Sequence, residues 1–92
     1  TFTAQALSNS MLPVFKKGDA IAVTKTPWEK VAVGNIIAFA FPNLPQIIVH
    51  RVMDVRMKGK EKICSTQGDS VLFEDSWRVN NKNYLGTVKR SL

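Results

Sequence analysis

Short stretches rich in Val, Ile, Phe and Thr recur along the chain between Gly, Pro, Asn and Asp, while the 3.6-residue spacing of an amphipathic helix is nearly missing. This is the pattern of an antiparallel β domain. Residues 19–25 (DAIAVTK) read as a strand with Ile21 and Val23 on one face, entered through a turn at Lys16-Lys17-Gly18. Residues 31–41 (VAVGNIIAFAF) form a second strand region bent at Gly34-Asn35 and broken at Pro42-Asn43-Leu44-Pro45. Residues 46–56 (QIIVHRVMDVR) predict the longest strand: Ile47, Val49, Met53 and Val55 share one face, and Ile48, His50, Val52 and Asp54 the other. A hairpin turn at Lys58-Gly59-Lys60 returns the chain through 62–66 (KICST), and 67–70 is a loop. A weaker apolar segment follows through Phe73, Trp77 and Val79, and 84–90 is the closing strand. The one helical candidate is a turn or so within 1–7, too short to stand by itself. No repeat and no linker divides the chain, which predicts a single small all-β domain over residues 1–92.

Composition narrows the class. Of 92 residues, 45% are hydrophobic and 22% charged, which excludes disorder and collagen-like or low-complexity architectures. Cys64 is the only cysteine and His50 the only histidine, so no disulfide closes within the chain, no soft-ligand metal cluster can be written, and no cofactor is expected. The longest apolar run, 36–41, is far short of the roughly 18–20 residues that span a bilayer. The chain begins at Thr1 rather than Met, which raises the expectation of a preceding signal or anchor segment. The net charge of +6 suggests an anionic partner: nucleic acid, a phospholipid surface or an acidic protein. Its basic residues lie scattered over turns at Lys16-Lys17, Lys58-Gly59-Lys60 and Lys89-Arg90 rather than in a stripe, which argues against nucleic acid. Trp28, Trp77, Phe39 and Phe41 are ordinarily core residues, with an interfacial role at a membrane as the alternative.

Three residue types stand out for chemistry. Ser8 and Ser10 occupy the polar-to-apolar loop 8–13 (SNSMLP), where such serines usually solvate a loop or cap a turn. His50 sits mid-strand, where an imidazole can act as a general base. Asp69, in a Gly-Asp turn pair, and Asp75 are candidate carboxylates, with Asp75 equally suited to an ion pair with Arg51 or Arg78. Together they supply a nucleophile, a base and an orienting carboxylate in the order Ser, His, Asp.

Five ordered segments carry a family resemblance. Residues 8–13 resemble the S-G-S-M-x-P nucleophile box of type I signal peptidases, and 17–23 (KGDAIAV) the strand that follows it. Residues 33–39 (VGNIIAF) resemble the G-D-I-V-x-F strand, 48–52 (IVHRV) the base-bearing box, and 65–70 (STQGDS) the T-K-G-D-N-N box, with Asp75 at the spacing of a further acidic position. Asn9, Asn35 and Gln67 depart from that pattern where Gly, Asp and Lys are usual. A histidine at position 50, where most bacterial members and the related LexA-like self-cleaving repressors have lysine, is the mark of the endoplasmic-reticulum, archaeal and sporulating-bacterium branch.

The resemblance implies a fold of two coiled antiparallel sheets and a serine endopeptidase that cleaves signal peptides from pre-proteins. In that chemistry Ser10 is the nucleophile, His50 the general base and Asp69 the orienting carboxylate, with Asp75 as runner-up. The Ser10 backbone N–H and the Ser8 hydroxyl would hold the oxyanion, and Met11 and Leu12 would line a cleft that takes an extended peptide as an added strand. It also implies a membrane anchor upstream, a catalytic domain on the extracytoplasmic or lumenal side near anionic lipid, and partner subunits. The alternatives are a LexA-like self-cleaving or maturation protease, and a non-enzymatic basic β-barrel that binds nucleic acid.

Overall fold

Segments dense in β-branched and aromatic residues pair edge to edge wherever the chain allows it. The structure, a computed structural model, describes residues 2–91. Six strands form: β1 (Phe2–Gln5), β2 (Ala20–Thr24), β3 (Ile36–Phe39), β4 (Ile48–Lys58), β5 (Glu61–Gln67) and β6 (Tyr84–Ser91). All neighbours are antiparallel, in the order β1-β2-β6-β3-β4-β5. The fold is all-β, as the alternation predicts. Where the resemblance implied two sheets, hydrogen bonds join all six strands into one.

The sheet is continuous because β3 pairs with β4 along one edge and with β6 along the other, and both of its faces are covered. Ile37 and Phe39 point into a cluster with Trp28, Val52, Cys64, Val79 and Tyr84, whereas Ala38 points into a second cluster with Met11, Phe15, Ile21, Val23 and Val88. Irregular register at β6 lets that strand serve both: Ala38 pairs with Gly86 but Phe39 with Tyr84, which places Tyr84 on the first side and Val88 on the second. Phe39 is fully buried, and truncating such a ring typically costs about 3–5 kcal/mol.

Several local expectations change. Residues 2–5, expected as part of a helical turn, form an edge strand paired with β2 from Phe2↔Val23 to Gln5↔Ala20, while Thr1 lies outside the described residues. Four residues cannot sustain a helix, but the open edge of β2 offers them backbone partners. Residues 31–33 are not a strand. Asn35 closes a turn there, accepting the Ala32 N–H on its side chain at 2.9 Å and donating its own N–H to Ala32 O, and Gly34 supplies the left-handed φ of +95°. The segment around Trp77 contributes one isolated bridge, Cys64↔Val79, rather than a strand. The only helix among the described residues is a 3-10 turn at Trp28–Lys30.

On β4 the predicted alternation holds through Val52. A register shift between Val52 and Asp54 then turns Val55 onto the side of Ile48 and Val52, where it packs on the first cluster. Trp28 and Phe39 are core, and Phe41 and Trp77 pack partly buried against that core, so none of the four aromatics stands out from the surface. Leu72 and Phe73, beside the exposed Val71, are the most exposed of the large apolar side chains.

Candidate active site

The loop between β1 and β2 carries Ser8 to Pro13 and is held from beneath. Met11, 1% exposed, plugs the second cluster and accepts the backbone N–H of Phe15 and Val14 on its carbonyl, which folds the loop into a turn. The Asn9 side chain accepts the Lys17 N–H at 2.8 Å and so ties the start of this loop to its end. A glycine could not make that bond. Across the site, the loop after β5 closes on the same segment: the Ser70 N–H donates to Ser10 O at 2.9 Å and the Ser70 hydroxyl to Asn9 O at 2.8 Å.

These contacts set Ser10 against β4. Its Oγ lies 3.1 Å from His50 Nε2, and His50 Nδ1 lies 2.6 Å from Asp75 Oδ2. The side chains of His50 and Asp75 are about nine-tenths buried, so the bond between them is shielded from competing water. Ser8 completes the group: its hydroxyl is 3.1 Å from Ser10 Oγ and accepts the Ser10 N–H at 3.3 Å.

Asp69, the first candidate for the orienting carboxylate, is elsewhere. It takes a bidentate pair of bonds from Arg51, Nε at 2.8 Å and Nη2 at 2.7 Å, while Arg51 Nη1 donates to Gly34 O at 2.7 Å. The cause is strand geometry: Arg51 follows His50 directly and therefore points to the opposite face. A carboxylate bound to Arg51 is thus turned away from the imidazole. The bond from Asp69 also raises the affinity of the Arg51 guanidinium for its proton above the ordinary arginine value. Arg78, the other suggested partner of Asp75, reaches only backbone carbonyls, those of Asp75 and Trp77.

A cleft of about 270 Å³ opens beside Ser10 and His50. Its walls include Ala6 and Leu7 beyond β1, Ile48 and Val49 on β4, and Phe15 and Trp77. Met11 lines it, whereas Leu12, 40% exposed, lies outside it. Sequence reading did not single out Gly68, whose Cα packs directly against Ser10 and His50, or Thr66, which donates to Asp75 Oδ2 at 2.7 Å. Among the described residues no three His, Cys, Asp or Glu side chains gather at one point, and no helix is long and apolar enough to cross a membrane.

An all-β domain that lines up a hydroxyl, an imidazole and a carboxylate beside an open cleft presents the constellation of acyl-transfer chemistry on a serine. Known proteins make the likeness particular. The chain is 33% identical over 91 residues to the signal peptidase complex catalytic subunit SEC11 of Lodderomyces elongisporus, which covers 90% of this chain and 54% of that protein. It is 32% and 31% identical over 71 residues to the subunits of the same name from Metarhizium acridum and Metarhizium robertsii, covering 76% of this chain and 41% of each of them. The chain is a relative of signal peptidase catalytic subunits, in agreement with its residue boxes, and spans about half the length of the curated relatives it matches. No family model and no solved structure matches it.

Proposed function

We propose that this chain carries the catalytic site of a serine endopeptidase that removes signal peptides from pre-proteins. The observation that carries the reading is the hydrogen-bonded line from Ser10 through His50 to Asp75, beside an open cleft, in a relative of signal peptidase catalytic subunits. Ser10 attacks the scissile carbonyl as His50 Nε2 takes its proton. The imidazolium then gives that proton to the leaving amine, and water releases the acyl-enzyme by the reverse sequence. Asp75 holds the imidazole and balances its charge. Asp69 acts through Arg51 as a brace for the loop that closes on Ser10.

At rest the Ser10 N–H is bonded to Ser8 Oγ. A developing oxyanion replaces that acceptor and draws both the N–H and the Ser8 hydroxyl, a donor pair whose members are typically worth 10²–10³ in turnover each. The substrate enters extended between the end of β1 and the start of β4, whose residues form facing walls of the cleft. The exposed Val71, Leu72 and Phe73 and the net charge of +6 suit work at an anionic membrane surface, and the relatives' description as subunits of a complex supports action with partner chains. In the test, a labelled pre-protein is incubated with the complete protein and its Ser10→Ala and His50→Ala variants. Both variants are expected to lose cleavage, and variants that cleave as well as the parent would overturn the reading.

A further inference from the structure

The line of hydrogen bonds does not end at Asp75. Thr66, fully buried on β5, shares Asp75 Oδ2 with His50, and the Trp77 indole Nε1–H donates to Thr66 Oγ1 at 3.2 Å. An indole N–H can only donate, and an ionised carboxylate can only accept. A hydroxyl has a single proton. With the indole proton aimed at Thr66 Oγ1 and the threonine proton at Asp75, the donor-only indole and the acceptor-only carboxylate make the bonds run one way, from Trp77 to Asp75. His50 Nδ1 must likewise donate to Oδ2, which leaves Nε2 as the bare nitrogen facing Ser10. Two more contacts hold the assembly in place. The Asp75 N–H donates to Thr66 O at 2.8 Å, and the Trp77 ring stacks on the imidazole at 6.5 Å with an interplanar angle of 21°.

We infer that Trp77 and Thr66 are positioning residues that hold the Asp75 carboxylate in place, and through it keep the His50 ring oriented to accept the Ser10 proton. The inference rests on the endopeptidase reading of the same site. Asp75 sets the His50 tautomer, and Thr66 and Trp77 together hold that carboxylate against the ring. Trp77 also lines the cleft, but Thr66 does not, so Thr66 separates positioning from substrate contact.

The experiment measures kcat and KM for pre-protein cleavage by the complete protein with Thr66→Val, Thr66→Ser, Trp77→Phe and the Thr66→Val/Trp77→Phe double variant, together with the low-field proton resonance of the His50–Asp75 bond. Thr66→Val keeps the shape and removes the hydroxyl. It is expected to lower kcat roughly tenfold to a hundredfold, the range for a bond to a charged group, with KM within about twofold of the parent. Thr66→Ser restores most of the loss. Trp77→Phe keeps a stacked ring without the donor and is expected to lower kcat about three- to tenfold. It should add little on top of Thr66→Val, because it works through that hydroxyl. The low-field resonance is expected to exchange away in Thr66→Val and to persist in Thr66→Ser. Trp77→Phe alone decides the matter should Thr66→Val fail to fold. Parental kcat with an unmoved resonance in Thr66→Val or Trp77→Phe, alongside an inactive Ser10→Ala, would overturn this inference alone; an active Ser10→Ala would instead overturn the endopeptidase reading.

Discussion

Gly68 is the tightest point in the site, and Gly68→Ala tests whether the loop after β5 sets the spacing of nucleophile and base. An added methyl would lie 2.7 Å from Ser10 O, 3.0 Å from Ser10 Cβ and 3.1 Å from His50 Nε2. Contacts of that kind are comfortable only near 3.5 Å, so relief requires movements of about half an ångström. None of the three atoms is the free end of a flexible side chain. Ser10 O is also the acceptor of the Ser70 N–H, and His50 is tied to Asp75, so the strain falls on the 3.1 Å contact between Ser10 and His50. Overpacking on this scale destabilises by about 1–3 kcal/mol, each kcal/mol lowering Tm by about 4–8 °C in a domain of this size. A misplacement of about 1 Å can cost on the order of a hundredfold in rate, so half of that should lower kcat/KM roughly tenfold. Pre-protein cleavage measured well below the lowered Tm separates the two effects. A Gly68→Ala variant with parental Tm and parental kcat/KM would refute the argument.

The two carboxylates should part company: Asp75→Asn is expected to lower kcat by as much as about 10⁴, whereas Asp69→Asn acts through loop stability and lowers it far less, and equal losses in steady-state kinetics would contradict the assignment. Gly59, at φ +64° in an open hairpin turn, gives the opposite control to Gly68, because Gly59→Ala should cost about 1–2 kcal/mol in urea unfolding and leave kcat/KM unchanged. Burial raises the proton affinity of the Cys64 thiol and the Tyr84 phenol above their ordinary values. Both groups are therefore protonated longer in the folded state, and their contribution to unfolding free energy should fall as pH rises beyond about 8.5, with Cys64→Ala removing the earlier part of the fall. Replacing Leu72 and Phe73 by Ser should weaken binding to vesicles containing anionic lipid without touching hydrolysis of a short soluble peptide; unchanged co-sedimentation would count against the membrane contact.

Strand periodicity made much of this legible. The alternation along 46–56 placed His50 with Ile48 and Val52, which is the face it occupies, and turn residues at Gly18, Gly34 and Gly59 marked three places where the backbone takes positive φ. The same alternation already held the clue to Asp69: Arg51 is one residue from His50, so an acid held by Arg51 faces away from the imidazole. A bulge is harder to foresee. The slip after Val52 reverses the faces downstream and brings Val55 into the core, and no residue there announces it. The edge strand Phe2–Gln5 was hidden because an alternation of four residues is too short to distinguish from a turn, and the strand takes its form from β2. Thr66, Gly68 and Trp77 were obscured for another reason, since a core threonine, a turn glycine and a half-buried tryptophan have ordinary structural roles. Only the folded chain brings them to within reach of Ser10, His50 and Asp75.

The central claim is a covalent one, that Ser10 becomes acylated by the peptide it cuts. The complete protein mixed with a pre-protein, quenched in acid during turnover and digested for mass spectrometry, should show an acyl adduct on the peptide bearing Ser10 and none in His50→Ala. Cleavage that proceeds with the adduct on another residue, or unchanged in Ser10→Ala, would contradict it.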